Sequence, residues 1–198
     1  MLEEAVEGLQ TALAAQPDDG FVLTFLGQVK TFQGKYEEAE QYFKRADTLD
    51  PASLWANLFS PSVPLYGSNP EPAVEMIKTA QHFFPGDALL TSWEALLWAK
   101  RGNFRRAEQF IEKALKVRKS VLHTHHMWHT AAAAYATVGK PELAVALLSR
   151  AAKTGLPNYP VFRDDPHFQS MHKYGPYLRL LATIKKETEG YRQEFGSS

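Results

Sequence analysis

A pattern that returns every 34 residues constrains this chain more than any other feature. Ala5, Leu9, Ala12 and Pro17 recur as Ala39, Phe43, Ala46 and Pro51, and again as Ala73, Ile77, Ala80 and Pro85. A fourth copy gives Ala107, Ile111 and Ala114, with Lys119 where proline would fall. A fifth, shifted three residues later, gives Ala144, Leu148 and Ala151. A fixed period of this length specifies a stack of similar small units, each burying its apolar face on its neighbours. It argues against a globule built around one buried site.

Residues 20–53 show what one unit is. Leu23, Leu26, Gly27 and Lys30 share a helical face by i, i+3, i+4, i+7 spacing. Gly34 breaks that helix. Tyr36, Ala39, Phe43 and Ala46 then form the facing stripe of a second helix, which Asp50-Pro51 ends. Small residues at Gly27, Ala39 and Ala46 let two antiparallel helices approach closely, and Phe43 fills the space between them.

This pattern resembles the tetratricopeptide repeat (TPR) family, over roughly residues 2–156. Leu26, Gly27, Gly34, Ala39, Phe43, Ala46 and Pro51 match in the second unit, and Ala95, Trp98, Gly102, Ala107, Ile111 and Ala114 in the fourth. The fifth matches at Trp128, Ala132, Tyr135, Gly139, Ala144, Leu148 and Ala151. The resemblance implies an all-α, right-handed superhelix of antiparallel helix pairs. The expected division is a repeat array over 1–156, with a partial first unit and four more, and a C-terminal capping segment over 157–198. Ala5 already falls in the second helix of a unit, so we expect a piece of a longer chain, with an uncovered helix face at which a homodimer could form.

The third unit departs from the pattern. Its first helix reads SLWANLFSPSVPLYG, and Pro61 and Pro64 each remove a backbone donor and clash with the preceding turn. A kink or break is expected near Phe59–Pro64, with either a local irregularity or a widened groove as its consequence. Residues 155–195 leave the register altogether. Asp165-Pro166 is expected to start a short helix with Phe168 and Met171 as its apolar face. Gly175-Pro176 should start a longer one with Tyr177, Leu178, Leu181 and Ile184 as its stripe. The segment from His123 to Phe168 also resembles the C-terminal TPR segments of bacterial multidomain signalling proteins, in which such repeats follow a kinase or winged-helix domain. The matching residues are the His-rich helix start, Tyr135, Gly139, Gly155, Tyr159, Phe162 and Asp165-Pro166. That likeness implies a bacterial docking or sensing module.

In TPR proteins the first helices of the units line a concave groove. Carried over, the groove residues are Phe21, Thr24 and Gln28; Trp55, Leu58 and Ser62; Leu89, Ser92 and Leu96; and His126 and His129. Neither Lys nor Arg stands among them, so the resemblance does not extend to TPR domains that clamp a C-terminal carboxylate. The implied function is non-enzymatic: protein–protein interaction through an apolar and aromatic groove, with a protein or peptide partner and no cofactor. A small-ligand or metal-sensing domain is the alternative, with a pocket near Pro61 and Pro64 or near the histidines. His123, His125, His126 and His129 are four of the seven in the chain. The i, i+3 and i, i+4 spacing of His125, His126 and His129 suits two imidazole ligands to zinc, but no cysteine is available to join them.

Other functions find little support. Lys+Arg and Asp+Glu balance at 22 each, which gives no reason to expect nucleic acid or an anionic membrane. Residues 100–119 do carry eight bases (Lys100, Arg101, Arg105, Arg106, Lys113, Lys116, Arg118, Lys119) against two acids. That run reads as a solvated helix face or as a contact for an acidic partner. Asp164, Asp165 and His167 lie close in sequence without a nucleophile motif, and Asp165-Pro166 is explained by a helix start. Gly139-Lys140 lacks the preceding glycine of a phosphate loop. No stretch approaches the ~20 apolar residues that cross a bilayer, and MLEEAVEGLQ lacks a signal-peptide pattern, so a cytoplasmic location is expected.

Overall fold

The computed structural model describes residues 2–117 and 124–195. Among these it contains helices and no strands. In chain order they are α1 (Leu2–Ala15), α2 (Gly20–Phe32), α3 (Tyr36–Leu49), α4 (Leu54–Phe59), α5 (Ser62–Tyr66), α6 (Ala73–Phe83), α7 (Ala88–Lys100), α8 (Phe104–Lys116), α9 (Thr124–Thr137) and α10 (Pro141–Lys153). The tail adds α11 (Tyr159–Asp164), a 3₁₀ turn over Pro166–Met171, and α12 (Gly175–Phe195). The pairs α2/α3, α7/α8 and α9/α10 are tight hairpins. The inner helices α2, α4–α5, α7 and α9 pack on one another in succession, and α1 lies against α2.

The alanines of the period are the contact points of this stack. Ala39, Ala46, Ala73, Ala80, Ala107, Ala114, Ala144 and Ala151 are all buried, while Ala5 and Ala12, on α1, are exposed. A methyl group at these positions lets the two helix backbones close to contact, and a larger side chain would push them apart. Gly27 shows the limit of the approach: a Cβ there would lie 2.8 Å from the Phe43 ring. The turn inside the unit is set by Gly34 at φ +73°, and Gly102 and Gly139 repeat that left-handed conformation. Asp19 and Asp87 start α2 and α7 by accepting from the backbone N–H groups of Phe21 and Val22, and of Leu89 and Leu90.

The third unit breaks where its prolines require. One inner helix becomes two, α4 ending at Phe59 and α5 beginning at Ser62. The interruption leaves carbonyls without helical partners, and side chains from other elements take them. Leu58 O accepts from the Trp93 indole at 2.9 Å. Leu65 O and Gly67 O, at the end of α5, accept from Lys100 Nζ at 2.7 and 2.8 Å. These bonds tie the broken helix to α7, and its C-terminal end meets the tail through Leu65 O and Tyr66.

The tail does more than cover the last unit. Helix α12 packs on α10 and α11, and the 3₁₀ turn packs on the inner helix α9. Phe162, Phe168 and Tyr177 are completely buried and share one hydrophobic cluster with the third, fourth and fifth units. The expected starts at Asp165-Pro166 and Gly175-Pro176 are found, and Phe168, Met171, Tyr177, Leu181 and Ile184 are buried as expected. Leu178 is not: it is 47% exposed, because one step along a helix from Tyr177 rotates it by about 100° away from α10. Helix α11, capped by Asn158, has no counterpart among the expected elements.

Candidate functional site

The two ends of the inner helices differ in construction. At the edge formed by the N-terminal ends of the inner helices lies a row of aromatic rings. Phe21 sits 4.5 Å from Phe25 and meets Trp55 edge-on at 6.5 Å. Trp55 stacks on Phe59 at 5.9 Å, and Phe59 meets His126 at 4.9 Å. His125 and His126 are 4.5 Å apart, centroid to centroid. Phe21 is 55% exposed; Trp55, His125 and His126 are half-buried, and Phe59 is the floor. Ring centroids between about 4.5 and 7 Å in offset or edge-on arrangements are mutually attractive, so the row is held in place before anything binds to it.

Toward the other end of the inner helices the tail packs around a buried carboxylate. Asp165 is 4% exposed. Its Oδ2 accepts from Tyr66 Oη at 2.8 Å, and its Oδ1 accepts from the backbone N–H of His167 at 2.8 Å and lies 2.7 Å from His167 Nδ1. His167 Nε2 faces Leu65 O at 3.1 Å. His129 Nε2 lies 3.3 Å from Asp165 Oδ2, close enough to feel its charge but not aligned for a hydrogen bond. Phe162 lies against the His129 ring at 5.4 Å, and Phe168 and Phe32 meet it edge-on at 5.4 and 6.3 Å. The clamp joins the tail to α5, α7, α9 and the end of α2.

Burial works against charge here, and neighbours decide the outcome. Burial by itself raises the Asp165 carboxyl, but the adjacent His167, with help from His129, outweighs it and holds the group below the usual carboxylate value. Burial lowers His129, and although Asp165 opposes this, the ring stays below the ordinary histidine value. Burial and the facing Asp165 push the Tyr66 hydroxyl well up, so it serves as a proton donor at any ordinary pH. Lys100 is lowered by burial, with Asp165 opposing.

The groove residues expected from the repeat divide accordingly. Phe21, Trp55 and His126 keep accessible surface on the aromatic row. Thr24, Gln28, Leu58, Leu89, Ser92 and His129 are buried, as are Ser62 and Leu96. The stack explains this: the inner helices pack so closely that these positions face the next unit or the tail. The hydroxyls of Thr24, Ser62 and Ser92 bond to carbonyls of their own chain segment, at Gly20, Phe59 and Leu89. Sequence reasoning missed Phe25 and Phe59 in the row, and Tyr66 and Lys100 in the clamp. It noted Asp165 and His167 as a cluster without a nucleophile, and explained Asp165-Pro166 as a helix start.

The histidines point in different directions. His125 packs on Gly155, where an added Cβ would lie 3.2 Å from its Nδ1; His126 faces Phe59; His129 faces Asp165. His123 lies outside the described residues. Among those described, no group of three or more His, Asp and Glu is arranged to hold a metal ion. Two clefts, of about 470 and 650 Å³, flank the clamp; Tyr66 and Pro166 line the first, Lys100 and His167 the second. Neither is lined by Pro61, Pro64 or the α9 histidines.

Part of the basic run over 100–119 is engaged within the fold. Lys100 belongs to the clamp, Arg101 pairs with Glu71, and Arg106 lies 4.0 Å from the Trp98 ring centroid. Lys116 is 3.7 Å from Glu112. Arg118 and Lys119 lie outside the described residues. Among the described residues no helix is long and apolar enough to cross a membrane.

Comparison with known proteins agrees with this architecture. Residues 22–53 and 95–126 each match a family model described as tetratricopeptide repeat. The fold is similar to that of TTC0263, a thermophilic TPR protein in Thermus thermophilus. The TM-score is 0.61 at 19% identity, covering 86% of this chain and 90% of that one. It is also similar to a chain of the APC/C hetero-tetramer Cut9-Hcn1, with a TM-score of 0.61 at 17% identity. That match covers 93% of this chain but only 37% of the other. Pseudomonas aeruginosa pilF aligns with a TM-score of 0.50 at 15% identity, covering 100% and 95%. No curated protein sequence matches the chain. The chain carries tetratricopeptide repeats, stacked in the superhelical fold of TPR proteins.

Proposed function

We propose that this protein is a docking module that holds a segment of a partner protein on the aromatic row formed by Phe21, Phe25, Trp55, Phe59 and His126. TPR domains typically serve as protein–protein interaction scaffolds, and they do so without turnover. The observation that carries the reading is the row itself. A large exposed ring at Phe21 continues into half-buried Trp55 and His126 over a fixed floor, and buried aromatic anchors of this kind dominate interface energetics. A structural role for the clamp is supported by its bonding: the Asp165 carboxylate, the His167 imidazole and the Tyr66 hydroxyl are buried and bonded to one another. The likeness of the segment from His123 to Phe168 to signalling-protein repeats supports a place within a larger bacterial signalling protein, as a docking or regulatory part.

Selection of displayed peptides on the immobilised 198-residue chain tests the reading. The enriched peptides should lose most of their binding to Trp55→Ala and His126→Ala variants. They should keep it with Leu143→Ser, an exposed leucine on the outer helix α10. Binding that survives both row substitutions would remove the row from the interface.

A further inference from the structure

The clamp sets two imidazoles against one buried carboxylate. Asp165 is the only acidic side chain that is buried among the described residues. Its Oδ1 is engaged twice by His167, through the backbone N–H and through Nδ1, and its Oδ2 by the Tyr66 hydroxyl. The second imidazole, His129, is 2% exposed, and its Nε2 lies 3.3 Å from Oδ2 without a hydrogen bond. Every element packed on this pair contributes a neighbour. Tyr36 of α3, Tyr66 of α5 and Tyr177 of α12 feel the Asp165 charge, and burial keeps their hydroxyls protonated. Lys100 of α7 shares the Leu65 carbonyl with His167. His125 of α9 and His167 each oppose a positive charge on His129. Asp164, next in the tail, is held by Arg163, and Glu3 and Lys35 lie along the adjoining cleft. Helix α2 contributes the uncharged Phe32.

From this arrangement we propose that the clamp is an acid-opened latch: a proton on His129 releases the tail segment 165–171 from α5 and α9 and uncovers Phe32, Tyr66 and His129. The latch concerns this end of the inner helices alone and stands whether or not the aromatic row docks a partner. With the tail in place, a charged His129 brings a second N–H into a site whose single carboxylate is already bonded and whose walls are Phe32, Phe162 and Phe168. A buried charge without an aligned acceptor is costly, whereas an imidazolium in water is not. The ring therefore takes up its proton more readily when the tail is away, in keeping with its lowered value in the closed form. Docking is complete above the ordinary histidine value of about 6.5 and weakens as pH falls below it, by at most about tenfold per pH unit for one proton. Buried histidines that bias a docked segment are a known form of pH switch. The 165–171 segment is a short 3₁₀ turn outside the repeat, so it can leave while the hairpins α7/α8 and α9/α10 stay packed.

Hydrogen–deuterium exchange of the 198-residue chain, at about pH 7.5 and about pH 5.5 with each rate divided by the intrinsic rate at that pH, tests the latch. Amides of residues 159–171 should exchange up to about tenfold faster at the lower pH, and those of α8 should not. His129→Phe keeps a ring that does not titrate and should remove the difference. His82→Gln, at an exposed histidine on α6, should leave it in place. Stronger protection of the tail in acid would mean that charged His129 pairs with Asp165 and tightens the clamp, and would overturn the proposal. Equal protection at both pH values, an equal loss in α8, or a response that survives His129→Phe would overturn it as well. If His129→Phe does not fold, the comparison of tail with α8 in the unaltered chain still separates a latch from general destabilisation.

Discussion

The two ends of the inner helices reach opposite states. At their C-terminal ends, polar and aromatic groups from the helices meet the tail and disappear from solvent: Tyr66, His129 and Asp165 are all buried. At their N-terminal ends similar rings remain accessible, with Phe21 more than half exposed. The difference shows that a repeat fixes which residues face inward but not which of them stay available. Among the described residues, availability follows a segment outside the repeat, which brings Asp165, His167, Phe162 and Phe168 against the C-terminal ends.

The largest expected effect comes from removing the carboxylate at the closed edge. Asp165→Ala leaves Tyr66 Oη and His167 Nδ1 buried without their acceptor, and breaking a buried ionic and hydrogen-bonded set by removing one member costs about 3–5 kcal/mol. Denaturant unfolding should show that loss as a lower midpoint. A cost under about 1 kcal/mol would mean that apolar contacts of Phe162, Phe168 and Tyr177 hold the tail alone. The contrast between a built edge and an open one would then rest on packing rather than on the clamp.

A smaller effect comes from proton binding at the same edge. The His129 ring, depressed by burial, resists protonation in the folded chain, whereas in the unfolded chain it titrates near the ordinary histidine value of about 6.5. Below that value the unfolded state binds more protons, so stability falls with decreasing pH, by at most about 1.4 kcal/mol per unit from this group. The fall begins near pH 6.5 and ends once the folded ring also titrates. Asp165, held below its ordinary value, stabilises the fold above that value and loses its contribution only at much lower pH. His129→Phe, which keeps a ring between Phe32, Phe162 and Phe168, should flatten the stability profile below about pH 6.5. An unchanged slope would place the titrating group elsewhere.

What could be read from sequence followed the range of the interactions involved. The unit boundaries, the Gly34 turn, the Gly27–Phe43 contact and the break near Pro61 depend on residues within one or two units, and the 34-residue spacing displays them directly. The Tyr66–Asp165 bond spans 99 positions, and nothing in a repeat pattern records such a pairing. Asp165 has a sufficient local explanation as a helix start, and the structure gives the same carboxylate both roles. The accessibility of the groove positions has a related cause: Thr24, Ser92 and Leu89 are buried, and packing between units and coverage by the tail depend on how closely neighbours approach. Leu178 departs from its expected place because a stripe drawn from the sequence alone does not fix which of two adjacent residues turns toward α10.

The smallest expected change in stability belongs to the open edge, and it is the one that separates architecture from function. Phe21→Ser alters a side chain with 55% of its surface in solvent. It leaves the Asp19 cap intact, because the cap bonds are made by the Phe21 and Val22 backbone N–H groups. The substitution should therefore change unfolding free energy by no more than about 0.5 kcal/mol, the usual range for an exposed site. Partner binding should nevertheless weaken about tenfold or more, as truncating an aromatic anchor at an interface does. Folding and binding are thus expected to separate at Phe21, whereas at Asp165 they should fail together through loss of the inner face. A large stability loss at Phe21 would show that its contacts with Phe25 and Trp55 hold the stack itself. The open edge would then be as structural as the closed one.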